Sequence, residues 1–456
     1  MDFSLITVFA FILVIGILVF VHELGHFLTA KWTGMRADVF AIGMGPRMVG
    51  WNKFTGFSFG PLPKDLDLGA ETDYRLCWFP IGGYVKIIGM IDESFDTEHM
   101  NEEPKPYEFR SKKNWQKAIV LLAGVTMNML LALGVYWVMG MTIGDEVHNV
   151  RTVGYVESGS VAFEAGFQRG DLIERIDGKV PDSWEDVAAS FMRIDADQHT
   201  IQVKRSDGTK DQLVVETGDV VRALSERRGL GIMPSGVETR LDAVMTLDPA
   251  GKAGLKAGDI VLAIDSTPIY SASQLPRIIS ARPNEKIVMH IKRADETMPI
   301  EVTIAGNGKI GVQPSDQFTI EPIQILYSPL QAFVWSAEKI ERTISTIFAS
   351  VTQVFRGNAE VKDSFGGPIM MMKMAGAAIQ MGGKEFFGFM ALISISLAVM
   401  NLLPMPGLDG GHLVIVAIES VIRRELPTKV KLRIQQVGVA LLLMLMAFVI
   451  YVDIMR

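Results

Sequence analysis

His22-Glu23-Leu24-Gly25-His26 lies inside the first apolar run of the chain, Leu5 to Leu28. A run of that length is long enough to cross about 30 Å of hydrocarbon. There it must satisfy its own backbone, which confines it to a helix. Ionisable side chains resist that solvent, acidic ones by roughly 2.5–3.5 kcal/mol at a helix centre on insertion scales. Positions i and i+4 of a helix face nearly the same side, so both imidazoles can reach one Zn²⁺ at about 2.0–2.1 Å. Glu23 can face the metal-bound water, whose pKa the ion lowers toward about 7, and take its proton as general base. Peptide hydrolysis is the expected reaction class; a structural metal or a satisfied polar cluster are the plainer alternatives.

Three further apolar runs, Ile119 to Ile143, Phe386 to Leu403 and Val437 to Ile454, bring the expected number of transmembrane helices to four. The third is short and ends at Pro404, so a buried core helix is its alternative. Met1-Asp2-Phe3 carries no Lys or Arg before the first run, unlike a signal peptide, so that helix is expected to be retained. Lys31, Arg36, Arg47, Lys53 and the group Arg110, Lys112, Lys113, Lys117 follow it; Arg423, Arg424, Lys429, Lys431 and Arg433 lie between spans three and four. The positive-inside rule assigns both regions to the cytoplasm and the stretch from about Asp145 to Lys384 to the other side. The motif begins about 24 Å along its helix, toward the cytoplasmic leaflet. A net charge of −7 argues against a nucleic-acid partner, and the single cysteine, Cys77, is read as a packed small hydrophobe.

An internal repeat fills the outer stretch. Residues 160–178 recur at 249–266 around a shared A-G-x-x-x-G-D-x-[IV]-x-x-I-D, with Gly170-Asp171 matching Gly258-Asp259 and Ile176-Asp177 matching Ile264-Asp265. Leu230-Gly231-Ile232-Met233-Pro234-Ser235 likewise matches Ile310-Gly311-Val312-Gln313-Pro314-Ser315. Two β-rich domains in tandem are expected, each with a short helix, a Gly-Asp turn, an apolar strand and a helix starting near Ser183 or Ser271. The string resembles the PDZ domain, which takes an extended peptide as an added strand. Arg228-Gly229-Leu230-Gly231 is similar to that fold's carboxylate loop; an ordinary glycine turn is the alternative, and the pair could equally act as a size filter. The domain boundaries expected are 1–30, 31–117, 118–144, 145–236, 237–316, 317–385, 386–426 and 427–456.

Pro329 to Arg356 has amphipathic helical spacing, which suits either the membrane surface or packing on a repeat. The Met-rich run from Met370 to Met374 reads as flexible core filling. Phe40 to Pro46 and Phe79 to Ile88 are short, glycine-containing and apolar, as expected of strands in a membrane-associated β-sheet. A substrate helix hides its carbonyls in its own hydrogen bonds, so an edge strand at Gly82 to Ile88, beginning with Gly82 and Gly83, is expected to pair with the unwound backbone. Asp92 to Pro106 reads as an acidic solvated linker.

A catalytic zinc needs three protein ligands and an open position. At the end of the third run, Asn401-Leu402-Leu403-Pro404-Met405-Pro406-Gly407-Leu408-Asp409-Gly410-Gly411-His412 breaks the helix with two prolines and three glycines. Irregular backbone at membrane depth is tolerated where it is buried or lines a cavity. Asp409 and His412 are the competing third ligands.

H-E-x-x-H in the first run together with N-x-x-P-x-P-x-L-D-G-G near the third resembles the site-2 protease family of intramembrane zinc metalloproteases, nearly end to end. That resemblance implies metal ligation by His22, His26 and Asp409, with Asn401 binding substrate or its oxyanion. It also implies a multi-pass α-helical protein of a bacterial inner membrane, with periplasmic repeats and a part in regulated intramembrane proteolysis under stress. Its implied partners are previously trimmed single-span proteins, an anti-sigma factor among them, and remnant signal peptides. One departure is visible: Ala123-Gly124-Val125-Thr126-Met127-Asn128 stands where many relatives have Gly-Pro before a small residue and Asn, so no role is carried onto that segment. An inactive protease serving as a PDZ scaffold is the rival reading, against which the intact Glu23 and ligand set stand. A metal transporter is a third; it predicts polar residues near the midplane of several helices, whereas the second and fourth runs are almost uniformly apolar.

Overall fold

The computed structural model describes residues 4–63, 66, 68–90, 103–191, 197–225, 229–355 and 366–455. The chain divides into two compact units, one of residues 1–144 with 326–456 and the other of residues 145–325.

The first unit opens with helix α1 (Leu5–Trp32), capped by the Ser4 hydroxyl on the Thr7 amide at 3.2 Å. Strands β1 (Ala37–Asn52), β2 (Gly56–Phe59) and β3 (Asp73–Ile87) follow as one sheet, then helix α2 (Asn114–Thr142). β1 bends where Gly43 and Gly45 take φ of +83° and +89°, and β3 bends at Gly82, φ +80°. After these bends residues 37–42 pair with 83–87, Ala37 opposite Ile87 and Ile42 opposite Gly83. No other strand among the described residues pairs with the outer edge of 83–87. The sheet is pinned by a buried ion pair, Arg47 to Asp73 at 3.2 Å, with Arg75 also on Asp73 at 2.8 Å. Cys77 is buried in it, and burial pushes its thiol pKa up, as suits a packing role. Of the acidic linker, only Glu103 to Pro106 lies within the described residues.

The second unit runs β4 (Asp145–Val147), β5 (Val153–Val156), α3 (Val161–Glu164), β6 (Leu172–Ile176), α4 (Trp184–Phe191), β7 (Gln198–Lys204), β8 (Lys210–Glu216), α5 (Thr217–Ser225) and β9 (Ile232–Pro234). It continues with β10 (Val237–Val244), α6 (Pro249–Lys252), β11 (Ile260–Ile264), β12 (Thr267–Pro268), α7 (Gln274–Ser280), β13 (Lys286–Arg293), β14 (Glu296–Thr303), β15 (Val312–Phe318) and β16 (Ile323–Ile325). The repeat in sequence is a repeat in pairing: β6-β7-β8 corresponds to β11-β13-β14, and β5-β9 to β10-β15. Each copy has its own apolar core, one around Ile173, Ile201 and Phe191, the other around Val261, Ile287 and Leu275. The signature residues do local work. Gly170 and Gly258 take φ of +92° and +93°, and the Asp after each is buried. Asp171 accepts from the Gln168 amide at 2.8 Å and Arg205 at 2.6 Å; Asp259 accepts from the Lys256 amide at 2.9 Å and Arg293 at 2.7 Å. Of the proposed carboxylate loop, Arg228 lies outside the described residues.

The first unit resumes with α8 (Pro329–Phe355), α9 (Pro368–Met381), α10 (Gly383–Leu402), α11 (Asp409–Ile422) and α12 (Thr428–Met455). Among the described residues four helices, α1, α2, α10 and α12, are long and apolar enough to cross a membrane. α8 packs on the helices of its own unit: Ala332 and Trp335 lie against Gly140 of α2, and Ile340 joins a core with Ala132, Ala391 and Ile395. The Met-rich run is mixed: Met370 and Met374 of α9 are exposed and Met371 and Met372 half-buried, while Ala375, Gly376 and Ala378 are buried, because small residues let α9 close on α1 at Thr7. The Asp453 carboxylate near the end of α12 accepts from the amides of Gly367 and Ile369, both at 3.0 Å, which ties the last helix to the start of α9.

Candidate metal centre

α1 presents His22 and His26 one turn apart, with ring centroids 4.8 Å apart. The helix continues through the motif because Gly25 faces α2: a Cβ there would run into the Ala123 carbonyl and come within 2.8 Å of Met127 Cγ. On α2, a Cβ at Gly124 would lie 2.6 Å from His22 Cε1 and 2.7 Å from its Nε2, and closer still to the His26 ring. Real Cβ contacts are not that short, so the two glycines together let the imidazoles nest against α2.

The ring nitrogens can be sorted by their partners. His26 Nδ1 lies 2.8 Å from the Val120 carbonyl, which only accepts, so Nδ1 carries the hydrogen and Nε2 presents a lone pair. His22 Nε2 is 3.2 Å from that Nε2. Asp409 Oδ2 stands 3.2 Å from His22 Nε2 and 3.4 Å from His26 Nε2, buried and without a hydrogen-bond partner among the described residues. A buried carboxylate oxygen left unpaired beside two imidazoles is costly. A cation lying among the three atoms would satisfy all of them. Two histidines and one carboxylate, leaving coordination open, are the donor set of a catalytic zinc.

Asp409 reaches this point because the chain breaks between α10 and α11. Gly407 turns at φ +95° against α12. A Cβ at Gly410 would meet the carbonyls of Leu402 and Leu403, and one at Gly411 the carbonyl of Met405. The break therefore coils tightly enough to exclude every side chain but hydrogen at these two positions. Gly438 of α12 closes the packing, its Cα facing the Pro406 backbone with no room for a Cβ.

A cavity of about 570 Å³ opens on the three ligand atoms. Glu23, Gly82, Gly83, Asn401 and His412 line it. Asn401 Nδ2 is 3.5 Å from His22 Nε2. Glu23 packs against the 83–87 strand, where a Cβ on Gly83 would lie 3.4 Å from Glu23 Cγ. His412 borders the cavity, while the ligand atoms lying within 4.8 Å of one another belong to His22, His26 and Asp409. Sequence reasoning named Gly124 and Asn128 only within the departing segment, without a role, and passed over Gly438. Asn128 Nδ2 lies 3.2 Å from His22 Nδ1. The signal for Gly124 and Asn128 was their i, i+4 spacing in a helix otherwise apolar; Gly438 carried none.

Residues 10–445 match the peptidase family M50. Among curated relatives, the regulator of sigma-E protease of Escherichia coli is 28% identical over 98% of both chains, and its Salmonella typhimurium counterpart 29% over 98% of both. A Neisseria meningitidis relative, provisionally named a zinc metalloprotease, is 29% identical over 99% of both. Apolar spanning-length helices, a two-histidine-and-aspartate centre beside a glutamate and an end-to-end match agree: the chain belongs to peptidase family M50, the site-2 proteases, and is a zinc metalloprotease.

Proposed function

We propose that the protein cleaves a peptide bond within the membrane-spanning segment of single-span proteins, in regulated intramembrane proteolysis. The observation that carries this reading is the convergence of His22, His26 and Asp409 beside Glu23 in a cavity lined by α1 and α10, helices long and apolar enough to span a bilayer, together with β1, β3 and the break before α11. Bound zinc would supply a Lewis acid that polarises the scissile carbonyl and acidifies a water. Glu23 takes the proton of the attacking water and returns it to the leaving amine. Its contact with Gly83 sets the carboxylate beside the edge at 83–87. Gly83 lets the strand close on α1, a Cβ there lying 2.8 Å from Val19 Cγ1, and Gly82 and Gly83 both line the cavity, so an unwound substrate segment can add to the strand's open edge. The Asn401 amide positions the substrate or donates to the oxyanion as charge develops on it.

The two repeats are PDZ-like domains at 145–236 and 237–316. Their order of strand, short helix, Gly-Asp turn, strand and helix, with β9 and β15 each at a sheet edge, supports that reading. They lie in the periplasm of a bacterial inner-membrane protein and admit only substrates already trimmed outside the membrane. The relatives named as regulators of sigma-E protease make an anti-sigma factor the first substrate to try, with remnant signal peptides next.

Purified protein is given trimmed and untrimmed forms of one single-span substrate, with Glu23→Gln in parallel. Cleavage of the trimmed form alone, abolished in Glu23→Gln with zinc retained, is expected. Cleavage by Glu23→Gln at the parent rate would end the general-base role, and equal cleavage of both forms would end the filter.

A further inference from the structure

Asn128 is fully buried on α2, one turn after Gly124, with its backbone carbonyl held by the Ser394 hydroxyl at 2.8 Å. Its side chain meets His22 on the ring nitrogen that faces away from Asp409: Nδ2 to Nδ1 is 3.2 Å, while Oδ1 has no hydrogen-bond partner among the described residues. The nitrogen and oxygen of an amide exchange places on a half-turn, so Asn128 can offer His22 Nδ1 either a donor or an acceptor. For Nε2 to face Asp409 and His26 with its lone pair, Nδ1 carries the ring hydrogen and needs a buried acceptor, which Oδ1 can supply.

We propose that Asn128 is the positioning residue for His22: its Oδ1 accepts from Nδ1–H and holds the ring with Nε2 toward the metal. His26 gets the same service from a fixed backbone acceptor, the Val120 carbonyl. The two ligands of one motif thus differ in kind, one locked in its ligating tautomer and the other set by a side chain that can present either a donor or an acceptor. The inference rests on His22, His26 and Asp409 as the ligand set.

The test is zinc affinity of the full-length protein in detergent, measured by competition with a chromophoric chelator, for the parent, Asn128→Ala, Asn128→Asp and Ser394→Ala. Groups that orient metal-bound histidines typically contribute about 10- to 100-fold in affinity. Asn128→Ala is expected to lose that much, with cleavage recovering as zinc is raised. Asn128→Asp, which keeps an acceptor for Nδ1–H, is expected to stay near the parent, as is Ser394→Ala, which removes only a main-chain contact. Parent-like affinity in Asn128→Ala would overturn the proposal, as would equal losses in the Asp and Ala variants. A parent that binds no zinc, or Asp409→Ala binding as tightly as the parent, would instead bring down the ligand set itself.

Discussion

The metal centre and the tandem repeats are built on opposite plans. In each repeat the signature aspartate finds its arginine 34 residues on, Asp171 with Arg205 and Asp259 with Arg293. Around the metal centre His22 meets Asn128 across 106 positions and Asn401 across 379. A repeat therefore closes on itself, and its fold can be read from one copy and checked in the other. The centre exists only when α1, α2 and the break before α11 are packed together, so its integrity depends on helix contacts that contribute no chemistry.

That contrast can be broken experimentally, beginning with the largest effect. Asp409→Ala should abolish zinc binding and cleavage as completely as His22→Ala, although the two lie at opposite ends of the chain; stoichiometric zinc in Asp409→Ala would disconnect the break from the centre. Gly124→Ala comes next. Its methyl group drives into both imidazoles, overpacking that typically costs about 1–3 kcal/mol, and metal titration should show weakened zinc binding without the loss of any ligand. Proline at Val85 removes a strand amide and breaks the 83–87 edge. Cleavage of a membrane substrate should fall steeply while zinc content holds, and intact cleavage would remove the edge from substrate binding.

Effects in the repeats should be smaller and confined to them. Asp259→Ala takes the partner from Arg293 and the Lys256 amide, at about 1–3 kcal/mol, readable as earlier thermal unfolding of the second unit with zinc content unchanged. A change in zinc affinity would show the two plans are not independent. The smallest effect concerns Asp265. Its hydrogen bond from Arg282, and next the Val288 amide, hold its carboxyl below the usual carboxylate range. A depressed folded pKa stabilises above the unfolded value, about 3.9, and that stability is lost as pH falls through the folded value. Arg282→Ala should therefore flatten the acid limb of second-unit unfolding, and an unchanged limb would assign the stabilisation elsewhere.

The fold was legible where the pattern is short-range. Four apolar runs are four helices of spanning length, and the doubled A-G-x-x-x-G-D string is a doubled strand order. It was less legible where a partner must be chosen. The amphipathic pattern of α8 specifies an apolar stripe but not that Gly140 and Ala132 of α2 receive it. The methionines of α9 look like core by composition, yet the closest approach to α1 is made at Gly376, since only a missing side chain permits that approach to Thr7.

By itself the sequence determined the chemistry: two imidazoles at i, i+4 with a carboxylate between them, and a proline-and-glycine break carrying a second carboxylate, in segments whose length and apolarity suit lipid. Helical periodicity and backbone hydrogen bonding decide those features locally. Only the tertiary structure decided that Asp409 Oδ2 closes on both Nε2 atoms, that Gly25, Gly124 and Gly411 are the clearances that let it, and that Asn128 stands behind His22. These are close approaches between surfaces distant in the chain, and what fixes them is the room left where side chains are absent.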